Sequence, residues 1–307
     1  MPTPLPPWRD LFRSAVEQLG DQQVARWFLE EASGGAWPGV LDEPVARRDA
    51  DRFVSMVERR RRGEPVQYIL GHWSFRRLDL LVDQRVLIPR PETEVVVEVA
   101  LGELAWLAAG GQGPGRLVAV DLGTGSGAIA LSLAAENGAV YVWGTDRSEQ
   151  ALAVASANLA GAGTATGGRV RFVEGEWWDA LPDGLAGSVD LVVSNPPYVA
   201  GPELPGLPPE VSAWEPHQAL VAGPSGLEAL EAILLGAPAW LSSPSSLVCE
   251  IAPHQAGDVL ALARSSGFDP VFVLPDLAGR QRVLVGRRAG AKGAGRPGRA
   301  CFRALER

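Results

Sequence analysis

Two short segments hold residues whose types and spacing can do chemistry on a planar nitrogen. The first is VDLVVSNPPYVAG, an apolar strand whose end delivers Asn195, Pro196, Pro197 and Tyr198. Consecutive prolines remove two backbone N–H donors and fix φ, so the carbonyls of this turn are held stiffly and are not consumed by a helix. An sp² NH₂ group is a poor nucleophile because its lone pair is delocalised, and it carries two donors that need partners. The Asn195 side-chain oxygen and the Pro196 carbonyl can accept those two hydrogen bonds, orient the nitrogen and favour the positive charge that develops on it. Tyr198 offers a flat face for a planar acceptor to stack on.

The second segment, LVAVDLGTGSGAIALSLAAE, is an apolar strand ending at Asp121, a turn containing Gly123, Thr124, Gly125, Ser126 and Gly127, and then a helix. Glycines let the backbone turn sharply and approach a ligand that a Cβ would exclude. A turn at the carboxyl end of the first strand of a doubly wound sheet is where nucleotides bind. Asp146 ends the next strand, nineteen residues after Gly127, where a carboxylate can accept hydrogen bonds from ribose hydroxyls. An adenosine-containing ligand fits this spacing.

These segments need elements to hold them. From residue 92 onward the pattern alternates helix, apolar strand and turn, with strands expected at 117–121, 140–145, 170–173, 191–194, 247–251, 271–274 and 282–285. Helices are expected to start near Gly127, Ser148, Gly226 and His254, covering both faces of a seven-stranded α/β sheet. Residues 1–70 read as a small helical domain whose last helix spans about 43–62 and ends in Arg59, Arg60, Arg61 and Arg62, a basic cluster suited to a helix C-terminus. The alternation within 71–88 reads as a two-stranded hairpin linking this unit to a catalytic domain at 89–288. Pro89 and Pro91 stiffen the approach to the next helix, with Glu92 or Thr93 as its cap. A Gly- and Arg-rich tail, 289–307, is expected to be disordered.

Composition narrows the function. The chain has 307 residues, 46% of them apolar, enough for two folded units. No apolar run approaches the roughly 20 residues of a bilayer helix, and no secretory signal is visible, so a cytoplasmic protein that does not bind membranes is expected. A net charge of −8 speaks against whole-surface nucleic-acid binding. The two cysteines, Cys249 and Cys301, exclude a disulfide framework and a cysteine zinc site, and the scattered His72, His217 and His254 show neither a metal cage nor a Ser-His-Asp triad.

The form DxGxGxG followed by NPPY resembles the class I, Rossmann-like methyltransferases that act on amide or amino nitrogens. That resemblance implies S-adenosyl-L-methionine as cofactor and places Asp121 near the ammonium of its methionine moiety. The stretch GEPVQYILGHWSFRRLDLLVDQRVLIPRPETEVVVE, with WEPHQALVAG, CEIAPHQ and DLAGRQRVLVGRR further on, closely resembles the release-factor glutamine methyltransferases over about residues 60–288. This implies N5-methylation of the glutamine in the Gly-Gly-Gln loop of class I peptide chain release factors, with the helical domain gripping the protein substrate. It also puts Arg90 and Glu92 near the substrate mouth and an aromatic, Trp177, against the adenine, although its neighbour Trp178 leaves that register open by one. Asn195 is expected to serve both ligands. The competing readings are N5-glutamine methylation of a ribosomal protein and adenine-N6 methylation of nucleic acid.

Overall fold

The computed structural model describes residues 5–110 and 116–289. All but Ala289 of the expected tail, 289–307, lies outside them. The described residues divide into two compact units: one takes residues 5–73 together with Pro208–Trp214, the other takes the described residues within 74–207 and 215–289.

The first unit is built on helices Trp8–Leu19, Gln22–Ser33, Arg47–Arg61 and Val66–Leu70. Trp8, Phe28, Leu29, Phe53 and Met56 share one buried cluster, with Trp8 and Phe53 edge to face at 5.8 Å. Asp21 caps the second helix, accepting from Gln23 N and Val24 N. The third helix starts at Arg47 rather than near residue 43. Pro44 holds the residue before it out of the helical region, and a 3₁₀ turn at Gly39–Asp42 occupies the preceding chain. The arginines at its end are engaged: Arg59 grips the buried Glu64 at 2.8 Å through Nε, and Arg60 reaches Glu210 at 3.1 Å.

The second unit is organised by a seven-stranded sheet: β1 Leu117–Leu122, β2 Val140–Asp146, β3 Val170–Glu174, β4 Val189–Ser194, β5 Leu241–Glu250, β6 Val271–Pro275 and β7 Gln281–Arg288. Their spatial order is β6-β7-β5-β4-β1-β2-β3. β7 runs antiparallel to both neighbours and every other pairing is parallel. Every residue of β1 and β4 is buried, which explains why they read as continuous rather than alternating apolar runs. The order reverses direction between β1 and β4, and the carboxyl ends of those strands flank the resulting crevice.

All seven strands outrun their expected limits, two of them by three residues or more. β5 begins at Leu241, six residues before the apolar run, and β7 continues through Arg287 and Arg288. Arg287 can remain in the sheet because Glu103 takes its guanidinium at 2.8 Å and Trp106 lies under it at 4.4 Å. Strands His72–Phe75 and Leu78–Leu81 form the small hairpin. Its turn residue, Arg76, has φ +53 and is tied to Glu94, Glu98 and Glu136. Among the described residues no helix is long and apolar enough to cross a membrane.

Candidate active site

The Gly-rich turn leaves β1 with φ of +73, +56 and +82 at Gly123, Gly125 and Gly127. Those left-handed values are the reason glycine is needed at all three. A Cβ added at Gly125 would meet no protein atom within 4 Å, whereas one at Gly123 would come to 3.6 Å from Trp177 and one at Gly127 to 3.1 Å from Phe172. Gly125 therefore borders open space, and Gly127 packs inward at the N-cap of helix Ala128–Glu136.

Asp121, expected beside a ligand, is not among the residues that line the cavity next to Gly125. It is fully buried and its Oδ2 is spent inside the loop, accepting from Thr124 Oγ1 at 2.6 Å and Ala130 N at 3.1 Å. Its other oxygen, Oδ1, is buried without a hydrogen-bond partner. Burial pushes the carboxyl up to about 7, against the pull of those two hydrogen bonds. Thr124 is buried with it, and Ser126 is buried with its carbonyl accepting from Asn158 Nδ2. Thr124 and Ser126 are likewise absent from the cavity lining.

Asp146 is placed as the spacing suggested, at the end of β2 and lining the cavity. Its Oδ2 accepts from Gly125 N and its Oδ1 from Ser148 N, both at 2.9 Å. Each carboxylate oxygen keeps a further lone pair for a ligand hydroxyl. Burial raises this carboxyl as well, with the two backbone N–H groups opposing it. Both Trp177 and Trp178 line the cavity, in different surroundings. Trp178 is core: it is 7% exposed, donates through Nε1 to the Ile233 carbonyl and stacks on Trp240 at 6.2 Å. Trp177, at φ +47, turns its ring toward Gly123.

Gly123, Gly125, Asp146, Trp177, Asn195 and Pro197 line one cavity of about 510 Å³. Asn195 follows Ser194, whose Oγ donates to the Leu122 carbonyl at 2.6 Å and locks the ends of β4 and β1 together. Asn195 donates through Nδ2 to Thr93 Oγ1 at 3.1 Å. Neither its Oδ1 nor the Pro196 carbonyl accepts a hydrogen bond from the described residues. Pro196 is buried. Tyr198 is not in the cavity lining; its hydroxyl lies 3.4 Å from Glu250 Oε1, and burial first, then the Glu250 charge, pushes its ionisation up.

Arg90 and Glu92 also stand outside the cavity lining, each in an ion pair. Arg90 pairs with the buried Glu215, which also accepts from Ile88 N, so the WEPHQ and IPRP motifs are joined. Glu92 pairs with Arg280 at 3.0 Å. Neither Glu92 nor Thr93 caps the helix Pro91–Gly110; both side chains are turned to other partners, and Pro91, lacking an N–H, opens it. Sequence reasoning gave no role to Glu250. A carboxylate interrupting LVCEI was the available signal, since a charge in a buried strand needs a partner.

The sheet order and the Gly-loop–NPPY crevice define a class I methyltransferase. The family model described as Methyltransferase small domain matches residues 114–205, and PrmC N-terminal domain matches 10–71. The fold is also that of the hMettl16 catalytic domain crystallised with a 3′UTR hairpin, at TM-score 0.54 and 18% identity over 95% of this chain and 94% of that one. The release factor glutamine methyltransferase of Cereibacter sphaeroides is 41% identical, covering 80% of this chain and 83% of its own. Those of Xylella fastidiosa and Moorella thermoacetica are each 42% identical, over 80% and 81% of this chain and 84% and 83% of theirs. The chain belongs to the release factor glutamine methyltransferase family.

Proposed function

We propose that this protein transfers a methyl group from S-adenosyl-L-methionine to N5 of the glutamine in the Gly-Gly-Gln motif of class I peptide chain release factors. The observation that carries the reading is Asn195, which lines a cavity with Gly125 and Asp146 and whose side-chain oxygen accepts no hydrogen bond from the described residues. The space beside Gly125 that a Cβ would fill suits a ligand lying on the loop. Asp146 would hold ribose hydroxyls, Trp177 would flank the adenine, and Gly123 and Gly125 would let the backbone approach. When bound, the sulfonium supplies an electrophilic methyl group.

The chain's own part is to position and polarise the nucleophile. Asn195 Oδ1 and the Pro196 carbonyl each accept one N–H of the substrate amide, which aims its nitrogen and stabilises the positive charge that builds on it. Asp121 supports the loop from within. The proton leaving the methylated nitrogen passes to solvent.

The test is transfer of labelled methyl from S-adenosyl-L-methionine to a class I release factor, a large-subunit ribosomal protein and DNA in separate reactions. Label is expected on the release factor, and on none after its Gly-Gly-Gln glutamine is changed to alanine. Preferential labelling of DNA adenine or of the ribosomal protein would overturn the substrate assignment.

A further inference from the structure

Asn195 has one freedom that its strand does not fix. The backbone is pinned through Ser194, yet an amide turned by 180° would present NH₂ instead of oxygen to a substrate that itself brings only N–H donors. We infer that Thr93 and Glu250 form a positioning pair that fixes this orientation, so that the amide oxygen of Asn195 is the atom offered to the substrate. The inference rests on the role proposed for Asn195 above.

Glu250 ends β5 at 1% exposure and Thr93 sits in the first turn of helix Pro91–Gly110 at 3% exposure, so water is not available to either. An ionised carboxylate only accepts, and a threonine hydroxyl has a single proton. Thr93 Oγ1 gives that proton to Glu250 Oε2 at 2.7 Å. Its remaining capacity is to accept, and it accepts from Asn195 Nδ2 at 3.1 Å. The relay therefore has a direction, from amide NH₂ to hydroxyl to carboxylate, and Oδ1 is left on the other side. A reversed amide would set two acceptors against each other at Thr93.

Burial pushes the Glu250 carboxyl up, and the Thr93 hydroxyl, the Arg282 charge and the Tyr198 hydroxyl oppose that shift and favour the ionised, accepting form. The Arg282 guanidinium attracts Glu250, the Tyr198 hydroxyl lies 3.4 Å from its other oxygen, and Arg282 is held by the Ile251 carbonyl at 3.0 Å. These residues lie on β5, on β7, after β4 and on the helix after Pro91. The arrangement thus joins the PRPETE and CEIAPHQ motifs to NPPY through side chains that touch Asn195 directly or at one remove. Thr93 and Glu250 act through Asn195 and are positioning residues rather than catalytic ones.

The experiment is a double-mutant cycle on Thr93 and Asn195, read as steady-state methylation of a class I release factor, with cofactor Kd measured by calorimetry on every variant. Thr93→Val keeps the shape and removes the hydroxyl. It is expected to lower kcat about 10- to 100-fold while cofactor Kd moves less than about threefold. Thr93→Ser, which retains the relay, is expected to recover most of that loss. In an Asn195→Ala background, Thr93→Val should cost little further, because the group it orients is gone. Additive losses in the cycle, wild-type kcat in Thr93→Val, or a Thr93→Ser variant as slow as Thr93→Val would each overturn the inference. Should Thr93→Val lose cofactor binding through misfolding, the Thr93→Ser and Thr93→Ala pair decides it in the same background. Failure of the wild-type chain to methylate the release factor would count against the proposed function alone; the cycle is then run on whichever acceptor takes the label.

Discussion

Gly125→Val separates the loop's duty to the ligand from its duty to the fold. At φ +56 the valine must hold a left-handed conformation, a cost of about 1–2 kcal/mol. Its Cβ meets no protein atom within 4 Å, so no steric cost to the fold is added at that atom. With Tm falling about 2–4 °C per kcal/mol in a domain of this size, the melt should drop by roughly 2–8 °C. The ligand meets a different situation, because the new carbons enter the cavity that Gly125 lines. Relaxing the strained turn also draws Gly125 N away from Asp146 Oδ2, its partner at 2.9 Å. We expect affinity for S-adenosyl-L-methionine to fall by about 100-fold or more, equivalent to about 2.7 kcal/mol. Isothermal calorimetry, paired with thermal melts, measures both quantities. Affinity within threefold of wild type in a folded variant would refute the idea that this space receives the ligand. A collapse of the fold would refute the claim that the space is open. Gly144→Ala is the contrast, since its Cβ would lie 2.6 Å from Phe172 and must disturb the packing.

Asn195→Ala should lower kcat by about 30- to 1000-fold, roughly 2–4 kcal/mol, with cofactor Kd changed little; single-turnover methylation at the wild-type rate would contradict its role. Trp177→Ala should weaken S-adenosylhomocysteine about tenfold with little loss of stability, whereas Trp178→Ala, truncating a buried ring, should cost about 3–5 kcal/mol in urea unfolding; the reverse pattern would exchange the two assignments. Asp121 is an acid raised to about 7 in the folded chain. The folded state therefore binds more protons than the unfolded one between the ordinary carboxylate range and pH 7, and its contribution to stability falls as pH rises through that window. Relative to Asp121→Asn, the wild-type chain should lose up to about 1.4 kcal/mol per pH unit there; equal slopes in denaturant titrations at pH 5, 6 and 7 would show that the carboxyl ionises freely.

Most of the site's placement was legible because motif positions follow from strand ends. Once 117–121 and 191–194 are adjacent parallel strands, the Gly turn and NPPY must share a crevice. Which way each side chain turns was not legible. Asp121 precedes the glycines at the spacing of a ligand contact, yet Thr124 and Ala130 N claim one of its oxygens before a ligand arrives. The same limit hid the end of β7: the strand was expected to stop at residue 285, because Glu103, which draws Arg287 into the sheet, lies far away in sequence. Local composition reports the period of a segment. It does not report partners more than a hundred residues distant, and Glu215, Glu250 and Arg280 all act through such partners.

Those distant pairs bear on what the site can accept. Around NPPY the charged groups have partners within the chain, Arg90 with Glu215, Glu92 with Arg280, Arg282 with Asp276, and Glu250 with the Thr93 hydroxyl. The acceptors left open, Asn195 Oδ1 and the Pro196 carbonyl, are neutral. A glutamine amide brings two N–H donors to those two acceptors and satisfies both. A glutamate in the same place would bring only lone pairs, leaving two acceptors facing a carboxylate with no proton between them, and such a mismatch is worth several orders of magnitude in selection. A lysine ammonium would supply donors but has no free lone pair until it loses a proton, and no unpaired carboxylate among these residues is placed to take one. Pairing the ions and leaving neutral acceptors open thus favours an amide over either charged side chain.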